Sequence, residues 1–359
     1  MAITIYDVAE QAGVSIATVS RVFNRNGTVS KATCDRVMHI ANELGYHPQI
    51  HAQGLAGKKS NVIMALVPVM SNYFFMEVLG GIQDKLLDSD YELNIFNVTP
   101  GKDAFEQVER VLKKRGAAGY VFISLHFTKS DWQKLHTYAV PVALIDECYA
   151  SFDSISVDNI EGAYKAVSYL IEQGFERVAL LSARQSSLPA RDRLEGYKKA
   201  LKEHGIRYDK SLVSTGNTTY RDGFTEKAGY EAMVILLSSE AKPDACFCIS
   251  DIQAVGAQKA MRDLNQWMPL IGYDDIELAE YIGLSTVRQP MRDMGFYATQ
   301  TLIDRMADPG RAVSKVIYTP ELVVRSSTRK PPVPQATRKG EDLERDKRSD
   351  LQPEGNPNR

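Results

Sequence analysis

Ile16, Ala17, Ser20 and Arg21 fall on one outward face of a short helical pattern. An arginine fork can bridge guanine O6 and N7, and an aliphatic side chain can meet a thymine methyl. Tyr6, Thr18, Asn24 and Ser30 carry hydroxyl or amide groups suited to phosphate oxygens. For Thr18 and Asn24, ordinary helix capping is an equal alternative. Ser15, at the start of the face, is expected both to cap the helix and to lie on the DNA side. The chemistry is that of a nucleic-acid reader.

The elements that must present these groups are legible around them. Thr4 with Asp7 three residues on is a helix-start pattern. Val8, Ala9 and Ala12 share one face of the first helix, and small Ala9 allows close crossing. Gly13 stands where a sharp turn needs positive φ. Val19, Val22 and Phe23 form the inner face of the second helix. Two helices in this relation make a helix-turn-helix, which places its second helix in the major groove. Ser30 is expected to cap a third helix with Val37, Ile40, Ala41 and Leu44 at i, i+3, i+4, i+7 spacing. Gly45-Tyr46-His47-Pro48 stops it.

The remaining sequence is long enough for a large body. The chain has 359 residues, 44% of them hydrophobic, and a formal charge of −2. Residues 1–60 carry six Lys/Arg against four Asp/Glu, a slight basic excess in an otherwise acidic chain. Cys34, Cys148, Cys246 and Cys248 form no disulfide framework, and Cys246 and Cys248 read as small buried groups of one strand. The six His are scattered without metal-ligand spacing, so neither metal nor cofactor is expected. No apolar run approaches the ~18–20 residues of a membrane span, and no leader pattern opens the chain. A cytoplasmic protein without a membrane partner is expected. Neither a Gly-x-Ser-x-Gly elbow nor a phosphate loop ending in Gly-Lys-Ser/Thr is present, so an enzyme is not expected.

From residue 61 to about 290, apolar runs alternate with amphipathic stretches. Strands are expected at 62–69, 91–96, 119–123, 140–145, 178–181, 245–249 and 270–272. Helices are expected at 76–87, 104–114, 162–173, 193–204, 227–237 and 252–263. This alternation predicts parallel sheets built from βαβ units. The strands are too many for one compact sheet, which predicts two lobes. Ligands of such sheets bind beyond the carboxyl ends of the strands, here the cleft. The predicted fold class is a small all-α helix-turn-helix head followed by a two-lobed α/β body.

The order of words along the chain resembles the lactose-repressor (LacI/GalR) family of bacterial transcription regulators. In the head these are Tyr6-Asp7-Val8-Ala9, Ala12-Gly13-Val14-Ser15, Thr18-Val19-Ser20-Arg21-Val22, Val29-Ser30, Leu44-Gly45-Tyr46 and Leu55-Ala56-Gly57. In the body they include Gly80-Gly81-Ile82, Ser156-Val157-Asp158-Asn159, Arg193-Leu194-Glu195-Gly196-Tyr197, Ser250-Asp251 and Ile271-Gly272-Tyr273-Asp274-Asp275. The likeness spans roughly residues 4 to 328. It implies a periplasmic-binding-protein-like body with crossovers between lobes near 160, 290 and 322. Domains are then expected at 1–46 (head), 47–60 (hinge) and 61–329 (body), the N-lobe taking 61–160 and 291–321 and the C-lobe 161–290 and 322–329. The tail, 330–359, is rich in Pro and mixed charge and reads as disordered.

The same resemblance assigns roles. It gives Ile16, Ala17 and Arg21 the base-reading positions. It makes Pro48–Gly57 a hinge helix that folds on the operator, with Leu55 wedged into a minor-groove step. Gly54 departs from a good helix former there, and packing between head and body is an alternative for Leu55. In the cleft it nominates Tyr73, Phe74, Arg193, Phe224, Asp251 and Asp274. Flat aromatic faces, carboxylate acceptors and an arginine fork suit a sugar or a nucleoside-like ring. Tyr73 and Phe74 have core packing as an alternative, and Asp274 has helix capping. The tail lacks the apolar heptads with which some members form tetramers, so a homodimer on a pseudo-palindromic operator is expected. The implied function is repression controlled by a small-molecule effector. A regulator with a protein co-effector, and a solute-binding protein, are the rival readings.

Overall fold

The computed structural model describes residues 4–23, 29–44, 60–70, 72–99, 101, 103–114, 116–217 and 220–329. The expected hinge helix and tail therefore lie outside the described residues, except for residue 60.

The head contains α1 (Ile5–Ala12), α2 (Ile16–Phe23) and α3 (Lys31–Leu44). Thr4 N and Oγ1 both donate to Asp7 Oδ2 at 2.7 Å, closing the start of α1 and holding the Asp7 carboxyl below its usual range. Gly13 ends α1 at φ 62°, a left-handed conformation that glycine adopts without strain. Ser15 and Ser30 cap α2 and α3, their hydroxyls accepting from Thr18 N and Thr33 N. Val8, Ala9, Ala12, Val19, Val22, Val37 and Ala41 form the core, with Phe23, Ile40 and Leu44 half-buried around it.

The chain divides into two compact units. Unit 1 holds residues 1–155 and 292–315, and unit 2 residues 156–291 and 316–359. The boundaries fall at 155/156, 291/292 and 315/316, the last six residues earlier than the sequence suggested. Glu321–Val323 pairs antiparallel with Thr286–Arg288, within unit 2.

In the body of unit 1 run β1 (Val62–Val67), α4 (Tyr73–Leu86), β2 (Glu92–Asn97), α5 (Ala104–Lys113), β3 (Gly119–Ile123), α6 (Lys129–His136), β4 (Val142–Ile145) and β5 (Asp153–Val157). Unit 2 contains α7 (Asn159–Glu172), β6 (Val178–Ser182), α8 (Leu188–Glu203), β7 (Val213–Thr215), α9 (Glu226–Leu237), β8 (Ala245–Cys248), α10 (Asp251–Asp263), β9 (Leu270–Ile271), α11 (Glu277–Tyr281) and β10 (Thr286–Arg288). The chain continues through α12 (Met291–Ala307), β11 (Lys315–Tyr318) and β12 (Glu321–Val323). One sheet has the order β11-β5-β4-β3-β1-β2 and the other β7-β6-β8-β9. The pairs from β1 to β5 and from β6 to β9 are parallel, as alternating strands and helices require.

Several glycines, Gly81 of a family word among them, are places where helix backbones touch. A Cβ at Gly81 would overlap Arg292 O, and one at Gly295 would overlap Val78 O, so α4 and α12 meet backbone to backbone. In unit 2, Gly229 lies against Gln253 O and Gly256 against Glu226 O, which joins α9 to α10 in the same way. Among the described residues no helix is long and apolar enough to cross a membrane.

Candidate DNA interface and effector site

On the head, Ile16, Ala17 and Arg21 are exposed on α2, opposite the buried Val19 and Val22. Ser15 and Ser30 are exposed at the starts of α2 and α3, and Tyr6 is 66% exposed on α1. Thr18 and Ser20 are half-buried, and Thr18 Oγ1 lies 2.9 Å from Ser15 Oγ. Asn24 and Leu55 lie outside the described residues. An aliphatic pair and one arginine thus share a water-facing helix surface.

Unit 2 brings Arg193 and Asp274 together at the ends of its strands. Arg193, on α8, is 3% exposed. Its Nε donates to Asn159 Oδ1 at 2.8 Å, its Nη1 to Ile249 O, and Nη1 lies 3.6 Å from Asp274 Oδ1. The guanidinium stacks 3.6 Å from the Tyr273 ring centroid. Asp274 follows β9 at φ 123°, with Asp275 left-handed beside it at φ 57°. Gln289 Nε2 donates to Asp274 Oδ1 at 2.6 Å, and the buried Gln289 Oε1 has no hydrogen-bond partner among the described residues. Ile276, rather than Asp274, is the cap residue of α11. Asp275 ties the turn to Arg288 and Arg325, each at 2.7 Å.

Asp251 takes a different place from the expected ligand contact. It is fully buried, accepting from Thr286 Oγ1 at 2.6 Å and from Ile276 N at 3.0 Å. Burial, and then the neighbouring Asp274 charge, push its carboxyl well up. Both oxygens are engaged inside unit 2, so Asp251 supports the 274–276 turn from beneath. A Ser-Asp word at a helix start gives the residue type but not its depth. Phe224 is half-buried, packed on the unit 2 core before α9.

In unit 1, Tyr73 is 40% exposed and Phe74 half-buried at the start of α4, where Asn72 Oδ1 accepts from Phe74 N at 2.9 Å. Phe74 meets Phe75 edge-on. The sequence reading missed a polar group after β3 and β4. Ser124 Oγ donates to Asp146 Oδ2 at 2.7 Å, and Glu147 Oε1 accepts from His126 N at 2.7 Å. Ser124, His126 and Asp146 all have positive φ. Polar residues directly after apolar strands were the available signal. Asn159 and Tyr273, neighbours of Arg193 and Asp274, lie in the family words Ser156–Asn159 and Ile271–Asp275 without an expected role, and Gln289 has no expected role either. Among the described residues no group of three His, Cys, Asp or Glu could hold a metal.

Comparison with known proteins bears on both parts. Residues 4–49 match the model for bacterial regulatory proteins of the lacI family, and residues 167–328 that of a periplasmic binding protein-like domain. The HTH-type transcriptional regulator DegA of Bacillus subtilis (strain 168) is 32% identical over 339 residues, covering 91% of this chain and 98% of that protein. The chain belongs to the lacI family of bacterial regulatory proteins. This lacI-family regulator also superposes on the lac repressor dimer bound to operator and the anti-inducer ONPF, with a TM-score of 0.79 and 26% identity, over 92% of this chain and all of that one. For the transcriptional regulator CelR–cellobiose complex the TM-score is 0.68 at 27% identity, over 90% of this chain and 99% of the other. The regulator is thus a helix-turn-helix DNA-binding protein with a periplasmic-binding-protein-like α/β body.

Proposed function

We propose that this regulator is a dimeric repressor that binds a pseudo-palindromic operator in the cytoplasm and is controlled by a small uncharged effector, a sugar or nucleoside-like ring. The observation that carries the effector reading is the Arg193–Asp274–Gln289 cluster at the strand ends of unit 2. It combines a carboxylate acceptor, an unpartnered amide oxygen and a guanidinium. Arg193 is balanced by Asp274, which disfavours a strongly anionic ligand. Phe224 in unit 2, and Tyr73 and Phe74 in unit 1, are the candidate aromatic contacts. Asp251 is a positioning residue in this reading. The relatives fit it: one solved structure holds cellobiose, and another is a repressor dimer on its operator.

On the head, Ile16, Ala17 and Arg21 read bases, while Tyr6, Ser15, Thr18, Ser20 and Ser30 contact or orient towards phosphates. The dimer is supported by a relative, the lac repressor, solved as a dimer bound to operator. An effector that binds two states of the dimer unequally shifts operator affinity by that difference.

The test selects operator sites with the full-length protein from random DNA, then titrates binding in the presence of cellobiose, D-ribose, hypoxanthine and a wider panel of neutral sugars. One chemical class is expected to raise the melting temperature and change operator affinity together. Selection of no palindromic site would overturn the repressor reading. A thermal shift without any change in operator binding would overturn the effector's regulatory role.

A further inference from the structure

The segment leading into Phe224 has an unusual backbone. Arg221 lies at φ 52°, ψ 41° and Asp222 at φ 53°, ψ 14°, and Gly223 follows at φ 92°. Two consecutive non-glycine residues in the left-handed region persist only where surrounding structure holds them. Two groups in unit 2 do so. Arg184 N, just beyond β6, donates to Asp222 O at 2.8 Å. Gln253, in the first turn of α10, donates through Nε2 to Gly223 O at 2.8 Å and to Ser182 O at 3.0 Å. Gln253 is fully buried, and its Oε1 has no hydrogen-bond partner among the described residues. A buried carboxamide with half its capacity unused is costly as a space filler. Its donor half clamps the end of β6 to the carbonyl directly before Phe224. The clamp itself is fixed, because Gln253 N bonds to the Ser250 cap and Gln253 O lies against Gly229 of α9.

We propose that Gln253 is a positioning residue for effector recognition: its carboxamide holds the left-handed Arg221–Gly223 turn, sets where Phe224 stands, and so selects among ring-bearing effectors. This rests on the reading of Phe224 as an effector contact. Gln253 never touches the ligand. It acts through the main chain before Phe224, with the N–H donors of one amide bridging two carbonyls.

Gln253→Met keeps the side-chain length and removes both N–H donors. In the full-length protein, amide exchange over residues 220–226 is expected to accelerate roughly tenfold, with trypsin cutting after Arg221 faster by a similar factor. Asp222→Gly in the same background is expected to restore most of the protection, since glycine holds positive φ without strain. A residue that only fills the core would not be rescued in this way. Cellobiose, D-ribose and hypoxanthine are the ligand probes. Their relative thermal shifts are expected to change about threefold between the unaltered protein and Gln253→Met. Unchanged exchange and cleavage overturn the positioning role. A loosened turn with unchanged relative responses overturns the role in selectivity. No shift by any probe on the unaltered protein overturns the effector reading and the selectivity claim with it. The exchange result stands apart from that outcome, because it needs no ligand.

Discussion

Arg193→Ala should cost unit 2 much of its stability, which makes it a poor reporter of effector contact. The substitution strands Asn159 Oδ1 and Ile249 O, now paired with Nε and Nη1. Each buried acceptor left unpaired costs about 1–3 kcal/mol. Asp274, 3.6 Å from Nη1, loses its counter-charge, and removing one partner of a buried pair costs roughly 3–5 kcal/mol. The losses overlap because the groups share one cluster, and Gln289 still donates to Asp274. A combined cost of about 4 kcal/mol follows from the low ends of these ranges. At about 2–4 °C per kcal/mol for a domain of 150–250 residues, the midpoint should fall by roughly 10 °C. Circular dichroism melting of the full-length protein, with urea unfolding alongside, measures it. Arg193→Ala with Asp274→Ala should cost about 2 kcal/mol less than the two singles summed, because the pair removes the stranded charge. A single-variant midpoint within about 2 °C of the unaltered protein would refute this reasoning. Strict additivity in the cycle would show that Arg193 does not compensate Asp274.

Arg21→Ala should weaken selected-site binding by ~1–3 kcal/mol and relax preference at one position of each half-site; equal weakening on all sequences would make Arg21 a phosphate contact. Tyr138, Lys134 and Lys113 hold the Glu109 carboxyl at about 2 against its ordinary 4.5, so its stabilisation is complete above about pH 4.5 and is lost as the pH falls towards 2. The stability gap between Glu109→Gln and the unaltered protein should therefore shrink with acid in urea titrations, and a constant gap would contradict stabilisation of the carboxylate by the Tyr138 hydroxyl and the two lysines. Asp251 has the opposite sign: its raised folded-state value means that stability falls as the pH rises from the ordinary carboxylate range towards that value. Asp251→Asn can donate to Thr286 Oγ1 and accept from Ile276 N, and should flatten that decline in melting curves. An equal loss at every pH would show that Asp251 titrates alike in the folded and the unfolded chain, and would refute the raised folded-state value.

The head was legible because its signals are local. Thr4 with Asp7, Gly13, Ser15 and Ser30 act within three or four residues, and each is where its type implies. In the body, the apolar strands 119–123 and 245–249 announced themselves by composition. β5 did not, because it opens on Asp153 and Ser154 and has only Ile155 and Val157 as apolar residues. Asp153 is nevertheless 1% exposed, its carboxylate held by Arg305 at 3.0 Å and by Ser314 N at 2.7 Å, partners some 150 residues away. The effector residues divide in the same way. Arg193 and Asp274 could be named by type, but only the fold shows that Arg193 is engaged three ways and that Asp251 is wholly interior. Gln253 had no sequence signal, since its meaning depends on a carbonyl thirty residues earlier.

The glycine crossings have a consequence for genetics. At Gly81, Gly229 and Gly256 even one added carbon meets main-chain atoms, which cannot swing aside as a side chain can. A library of random substitutions scored for loss of repression should therefore mark these positions as sharply as any DNA- or effector-facing residue. None of them is a recognition candidate. Read without coordinates, such a map would draw false binding patches along α4, α9 and α10. Scoring the same library for soluble protein would separate the two classes, because recognition variants accumulate normally while crossing variants vanish from the soluble pool.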